Sequence, residues 1–354
     1  DISFSAFRKS RTAPGRTAAT AGFLLGTVSG SGTATTVSLG AVTWPMLKKA
    51  GYPKENAGGL LAASGIGAIL SPPTLGAAAF IIAEYLETSY LQVLIWAILP
   101  TLLYYLGIAL AVEIDARKFG AKPVEIDSPS PWALLKRGGY HFLSLAVIVV
   151  FLALDIPVFS AVVYATGVAA VFALIAKRGD VREWLRAMAD SLSLGVRSAL
   201  PVIAVCAAAG VITSTITKTG LGQVLASTLV DIAGAISSDP AVVLFATVVL
   251  AAFAVSLLGL AVPVTASFII SWVVIGPALM GLGVAPEEAA MFIFYYAVLS
   301  EVSPPTALAA VASAAITGGR VIPTMIQACK YTLPAFLAPM AFIVSENGSL
   351  LLSR

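Results

Sequence analysis

Two copies of the tetrapeptide Ser-Pro-Pro-Thr are the residues of this chain best suited to bind an ion. One copy spans 71–74 and the other 303–306, each within a long apolar stretch, and Glu301 stands just before the second. Hydroxyl and carboxylate oxygens beside opened backbone carbonyls suit a dehydrated cation, and the N-terminus of a half-helix favours a nearby anion. The pattern therefore indicates a site for a small cation and an anionic solute.

The proline pairs also indicate the backbone that must position these oxygens. Each Pro-Pro pair removes two backbone donors and prevents a helix from continuing. Hydrophobic residues are 58% of the chain, charged residues are 11% and the mean hydropathy is +0.95, whereas soluble domains are about 25% charged. Backbone opened at membrane depth is tolerated only where it lines a cavity or is buried in protein. We therefore expect an all-α polytopic membrane protein with two broken helices.

The two halves of the chain share an internal repeat. Pro45 and Pro277 are 232 residues apart, as are Gly51 and Gly283 and the two tetrapeptides. Collinear landmarks at one offset indicate a duplication. The first repeat is predicted at 1–120, with a hairpin at 17–47, a broken helix at 55–87 and a closing span at 90–112. A connector at 121–189 is predicted to contain two spans and an amphipathic arm. The second repeat is predicted at 190–354, with three spans, a hairpin at 255–282, a broken helix at 287–317 and a closing span at 331–345.

The distribution of Lys and Arg predicts that the repeat is inverted. Basic residues lie on both sides of the first hairpin, at 8–16 and at 48–54, so both of its ends are expected in the cytoplasm. The second hairpin is followed by Glu287 and Glu288 and has no Lys or Arg nearby, so we expect it to enter from the opposite face. The first hairpin is preceded by no spans and the second by three, so about three N-terminal helices are expected to be missing from the chain given.

Small and hydroxyl residues at the hairpin tips and at the breaks form the predicted ion and substrate site, which is also where any Na⁺ is expected. Re-entrant turns need positive φ and close approach, so three of the glycines are expected to shape the site rather than bind ions. For any single Ser or Thr, the alternative is helix packing by a small residue. The full set is Ser29, Gly30, Ser31, Gly32, Thr33, Ser71, Pro72, Pro73, Thr74, Gly259, Thr265, Ser267, Glu301, Ser303, Pro304, Pro305 and Thr306.

Glu301 is the most specific candidate. An intramembrane carboxylate is costly and indicates a functional site by default. Proton coupling through Glu301 is therefore one hypothesis. The alternative is a neutral, hydrogen-bonded glutamate that caps the broken helix.

The order of these motifs resembles the large membrane subunit of tripartite ATP-independent periplasmic (TRAP) transporters, and most of all the fused permeases that pair with TAXI-type binding proteins. The segments that carry the likeness are SGSGTATT at 29–36, PMLKKAGYP at 45–53, SPPTLGAAAFIIAE at 71–84 and FYYAVLSEVSPPTALAA at 294–310. Two departures concern the coupling ion: the first tip reads Gly-Thr-Ala-Thr-Thr, where the family often has Asn after small residues, and Glu301 replaces an expected Asn or Asp.

This resemblance implies an elevator-type secondary transporter of a bacterial or archaeal inner membrane. It would be driven by a Na⁺ or H⁺ gradient and would take a small organic anion, a carboxylate, from a periplasmic binding protein. Its other partners would be the missing N-terminal helices or a small membrane subunit. The resemblance implies neither an enzyme nor a cofactor.

Two other functions are weighed against this one. A divalent-anion/Na⁺ symporter of similar inverted design would need no binding protein. An intramembrane hydrolase would need a nucleophile with a base, paired carboxylates or metal ligands, but the chain has one His and no His-Glu-x-x-His motif. No Walker motif occurs, so ATP hydrolysis by this chain is not expected.

Overall fold

The computed structural model describes residues 7, 10–73, 75–124, 132–133, 136, 139, 143–154, 156–176, 180–260, 262–345 and 347–352. Within these residues the regular structure is entirely helical, which confirms the predicted all-α class. The helices are α1 Ala13–Ser29, α2 Gly32–Ala50, α3 Lys54–Gly67, α4 Ala78–Tyr85, α5 Tyr90–Lys118, α6 Leu143–Ala153, α7 Val158–Ala176, α8 Val181–Thr219, α9 Leu221–Gly234, α10 Pro240–Leu258, α11 Val264–Gly281, α12 Pro286–Leu299, α13 Leu308–Thr317, α14 Val321–Tyr331, α15 Leu333–Val344 and a 3₁₀ helix Gly348–Leu352.

Four of the described helices, α5, α7, α10 and α11, are long and apolar enough to cross a membrane. The pair α13 and α14, bent by 117° at its break, adds a fifth if it is counted as one span. The chain is therefore a multi-pass membrane protein.

The chain divides into two compact units. The first contains residues 127–208, and the second contains Phe7–Ile126 and Ala209–Arg354. In the first unit α6 packs against α7, and Trp184 Nε1 donates a hydrogen bond of 2.8 Å to the carbonyl of Ala170. The segment predicted as an amphipathic arm lies within the continuous helix α8. The second unit holds both hairpins and both broken helices.

Hairpin 1, formed by α1 and α2, has a short turn set by local chemistry. Gly30 adopts a left-handed conformation with φ +64° and ends α1, since its N–H bonds the carbonyl of Gly26 at 3.1 Å. Ser31 is extended, and its hydroxyl accepts a bond of 3.3 Å from the N–H of Ala34, which starts α2. Serine is one of the residues favoured at the N-cap of a helix.

The two helix breaks share a backbone arrangement. Break 1 covers residues 68–77, between α3 and α4, and break 2 covers 300–307, between α12 and α13. The Pro-Pro peptide bond in each is cis. One backbone hydrogen bond closes each loop, from Gly76 N to Ile69 O at 3.0 Å and from Ala309 N to Glu301 O at 2.9 Å. The two closing bonds differ in span, seven residues in break 1 and eight in break 2, so the breaks are similar but not identical.

Hairpin 2 consists of α10, Pro240–Leu258, and α11, Val264–Gly281. The predicted hairpin, 255–282, covers α11 and the end of α10, and the third span predicted before it covers the rest of α10. Helix α10 has 19 residues and is uniformly apolar, so by length and composition it is also long enough for a complete crossing. Only α8 and α9 precede this hairpin in the second repeat.

Packing in the second unit is reciprocal between the repeats. Helix α3 packs against α13, and its counterpart α12 packs against α4. The second arm of hairpin 1, α2, contacts α13, and the second arm of hairpin 2, α11, contacts α4. Gly51 and Gly283, at equivalent positions after these arms, have φ of +92° and +88°. The contacts between the two halves are therefore reciprocal.

Small residues allow hairpin 1 to lie directly on α3. A Cβ added at Gly26 would lie 2.0 Å from the Cβ of Ala68, and one added at Gly65 would lie 2.0 Å from Oγ1 of Thr36. Close backbone approach of this kind is how membrane helices pack. It brings the tip of hairpin 1 beside the broken helices.

Candidate functional site

The two hairpin tips reach adjacent residues of break 2: the tip of hairpin 1 lies beside Glu301, and the tip of hairpin 2 lies beside Ser300. A Cβ at Gly32, which begins α2, would lie 2.5 Å from Oε2 of Glu301. A Cβ at Gly259, which ends α10, would lie 2.5 Å from Oγ of Ser300. Two tips from opposite repeats therefore converge on one point, which is where the sequence predicted the site.

Glu301 is held by the N-terminus of α2. The residue is 9% exposed, and the hydroxyl of Thr33 donates to its Oε2 at 3.4 Å. The first turn of a helix has free N–H groups and the positive end of the helix dipole, so it favours an anion. The Glu301 side chain thus contacts the first turn of α2, in the opposing hairpin.

On the hairpin 2 side the site is lined by buried hydroxyl groups. Ser267 and Ser271 are fully buried, and among the described residues their Oγ atoms have no hydrogen-bond partner. Ser267 Oγ lies 3.0 Å from the position of a Cβ at Gly259. Thr265, at the start of α11, is 9% exposed. Leaving a buried hydroxyl without a partner costs free energy, so these oxygens are available as ligands.

The serines of the two breaks make equivalent contacts. Ser71 Oγ donates to the carbonyl of Gly67 at 2.5 Å, and Ser303 Oγ donates to the carbonyl of Leu299 at 2.9 Å, four residues earlier in each case. Each serine therefore uses its hydrogen to complete the end of its helix. Its oxygen keeps lone pairs that can face a ligand.

The remaining predicted residues differ in their placement. Pro72 and Pro73 are half-buried, whereas Pro304 and Pro305 are exposed. Oγ1 of Thr306 is buried and has no partner among the described residues. Thr74 and the side chain of Ser29 lie outside the described residues.

The glycines do not all have the role expected of them. Gly30 has the expected positive φ. Gly259 has φ −80°, and Gly32 also lies outside the left-handed region. Close approach to Ser300 and Glu301, rather than φ, is what requires glycine at these two positions.

Sequence reasoning missed Ser300 and Thr36, which contribute hydroxyls at the hairpin 2 tip and beside Gly65. The signal available for Ser300 was its position next to Glu301. Nothing in the sequence distinguished Thr36 from the other threonines of α2.

Among the described residues no group of three or more His, Cys, Asp or Glu side chains forms a metal centre, so the oxygens of the site are hydroxyls, carbonyls and one carboxylate.

A comparison with known families identifies the family of the chain. The family described as "Tripartite ATP-independent periplasmic transporter, DctM component" matches residues 1–347. The chain belongs to this family. A search of curated proteins finds no match. Members of the DctM family are membrane components of transporters rather than enzymes, and they normally work with a periplasmic binding protein.

Proposed function

We propose that this DctM component is the permease of a TAXI-type transporter that uses a cation gradient to import a small carboxylate in an inner membrane. The carboxylate would be delivered by a periplasmic binding protein. The observation that carries the proposal is the convergence of both hairpin tips on Ser300 and Glu301. A buried site built by two opposed hairpins can be reached from either face in turn.

The cation would be bound by oxygens of the tips and breaks. On the hairpin 2 side, Ser267 Oγ and Ser300 Oγ lie beside Gly259. Ser267 Oγ has no hydrogen-bond partner among the described residues. On the hairpin 1 side, Thr36 Oγ1 and the carbonyl of Gly32 lie around Gly65. Several neutral oxygens bind Na⁺ without the desolvation cost of further buried charge.

The anion would be bound mainly by backbone. The tip and break segments 29–33, 68–77, 259–267 and 300–307 contain no Lys or Arg. A carboxylate at this site therefore depends on helix N-termini and hydroxyl groups. The N-terminus of α2 is already bonded to Glu301, so a charged Glu301 competes with the substrate for these donors. Protonation of Glu301 removes that competition, and this is the basis for proposing proton coupling.

The division of the chain supports an elevator mechanism. Both tips and both breaks belong to one compact unit, Phe7–Ile126 with Ala209–Arg354. A unit that contains the whole site can carry its solute as a rigid body. In this proposal residues 127–208, the other compact unit, would serve as the scaffold.

Uptake into proteoliposomes tests the proposal. The complete transporter would be reconstituted with its cognate binding protein and offered labelled dicarboxylates, sugar acids and amino-acid-like acids, with Na⁺ and pH gradients imposed separately. Uptake of a carboxylate that needs both the binding protein and a cation gradient supports the proposal. Uptake that persists without the binding protein favours the divalent-anion/Na⁺ symporter, and uptake without either gradient contradicts cation coupling.

A further inference from the structure

Helix α5 holds break 1 by direct hydrogen bonds. Thr101 Oγ1 donates at 2.9 Å to the carbonyl of Leu70, inside the break. One turn farther along, the hydroxyl of Tyr104 donates at 2.7 Å to the carbonyl of Ala63 in α3. Thr101 is 9% exposed and Tyr104 is fully buried. Break 1 is thus anchored to the closing span of its own repeat.

The far end of α5 carries a buried carboxylate that bonds the other repeat. Asp115 is 4% exposed and accepts hydrogen bonds from Lys330 Nζ, at 2.5 Å, and from the buried hydroxyl of Tyr331. The Lys330 ammonium group also lies 4.3 Å from the centroid of the Tyr331 ring. Removing one partner of a buried ion pair is strongly destabilising, because the other charge is left uncompensated. Both donors belong to the last turn of α14, so Asp115 determines where this end of α14 lies.

The same turn of α14 lies against break 2. Cys329 Sγ is 4.0 Å from the carbonyl of Val302, which follows Glu301 in the break. Helix α14 also packs on α13, the helix that begins where break 2 ends. The N–H of Ala309, in α13, donates to the carbonyl of Glu301 at 2.9 Å. A single helical turn therefore separates Asp115 from the backbone of break 2.

The other acidic residue of α5, Glu113, has different partners. It accepts from Arg16 of α1 at 3.2 Å and from Arg117 of α5 at 3.3 Å. The side chain of Glu113 is 33% exposed, whereas that of Asp115 is 5% exposed. Two carboxylates that lie two residues apart on α5 thus differ in their partners, and the bonds to α14 come from Asp115.

We propose that Asp115 is a positioning residue for break 2: by holding the last turn of α14, it fixes the backbone on which Glu301 stands. Helix α5 then supports both breaks, break 1 through Thr101 and break 2 through Asp115. These two points are 14 residues apart, about 21 Å along a helix. The importance of Glu301 for ion and solute binding rests on the proposed function. The anchoring of break 2 by Asp115 does not.

Hydrogen–deuterium exchange can report on break 2, because the N–H groups of residues 300–303 all donate to carbonyls of α12. Exchange of such amides requires local opening, so its rate measures how firmly a segment is held. Break 1 is an internal reference, because it has a similar loop and a different anchor on the same helix. The measurement would use the full-length protein in lipid nanodiscs, with no substrate, and mass spectrometry to assign the exchange to segments.

In Asp115→Asn, we expect amides of 300–309 and 321–331 to exchange about tenfold faster or more, because α14 is no longer held against break 2. Amides of 68–80 should keep the wild-type rate, since Thr101 still bonds break 1. Thr101→Val should do the reverse, accelerating 68–80 and leaving 300–309 unchanged. Distant sites with no shared partner act independently, whereas a merely structural role for Asp115 would accelerate both breaks together.

Glu113→Gln is the matched control, because it makes the same chemical change two residues away on α5. It should leave exchange in 300–309 unchanged. If Asp115→Asn does not fold, Tyr331→Phe removes one donor without a change of charge and should accelerate 300–309 to a smaller extent. Unchanged exchange in 300–309 when Asp115 or Tyr331 is replaced, or equal acceleration of both breaks, would overturn the proposal. Because no transport is measured, a failed uptake test leaves these outcomes unaffected.

Discussion

Glu301 joins two parts of the chain that are 268 residues apart, through its bond with Thr33. Both residues could be predicted as site residues from the sequence, because each lies beside a break or a tip. Their pairing could not, because it depends on how the two repeats interlock. The same holds for Asp115 and Lys330, which are 215 residues apart and form a salt bridge of 2.5 Å.

A substitution at Glu301 can remove the ionisable group while the size of the side chain stays nearly the same. Glu301→Gln keeps an oxygen that can accept from Thr33 but cannot take up a proton. We expect uptake by this variant to lose its dependence on pH, whereas Glu301→Asp should keep that dependence at a lower rate. The measurement is initial uptake rate across a pH series at constant Na⁺ gradient. A wild-type pH profile in Glu301→Gln would show that another group carries the proton.

Gly26 tests the close packing of hairpin 1 on α3. In Gly26→Ala the new methyl would meet the Cβ of Ala68, 2.0 Å away, and such overpacking costs about 1–3 kcal/mol. The melting temperature in detergent should fall. Gly167→Ala is the control, since a Cβ there meets nothing within 4 Å and alanine favours a helix by about 1 kcal/mol over glycine. If both variants melt at the same temperature, the packing of α1 on α3 is looser than described.

At the scale of elements, the sequence predicts breaks better than it predicts hairpins. Proline acts on its own backbone neighbours, so a Pro-Pro pair indicates directly where a helix is interrupted. Whether an apolar helix crosses the membrane or turns back depends on its partners, so α10 could not be assigned as an arm. Helix α9 has 14 residues, about 21 Å at 1.5 Å per residue, which is shorter than the ~30 Å hydrocarbon layer.

The attachment of α5 to break 1 offers a test at this scale. Thr101 Oγ1 donates at 2.9 Å to the carbonyl of Leu70, which lies in the break. Thr101→Val leaves that carbonyl buried with one partner fewer, at a cost of about 1–3 kcal/mol. We expect a lower melting temperature together with reduced uptake.

Thr166→Val is the control for this substitution. The hydroxyl of Thr166 donates to Val162 within α7, where the carbonyl keeps its helical hydrogen bond. This variant should melt close to the wild type. Equal losses in the two variants would mean that the bond from α5 does not stabilise the break.

At the scale of the whole molecule, some properties can be predicted from the sequence and others cannot. Membrane class and family follow from composition and from motifs that recur in order, and the match to residues 1–347 agrees with them. The division into two compact units could not be predicted, because it depends on contacts between distant segments. The reciprocal packing of α3 with α13 and α12 with α4 is a property of the same kind.

The central claim is that the two repeats are inverted, so their hairpins enter from opposite faces. Lys48 and Met280 are exposed, lie near the ends of equivalent arms and are 232 residues apart. Single cysteines at these positions, in a background with Cys206→Ser and Cys329→Ser, would be treated with a membrane-impermeant maleimide. Lys48→Cys should react only in inside-out vesicles, and Met280→Cys should react only from outside intact spheroplasts. Reaction of both cysteines from one face would contradict the inverted arrangement.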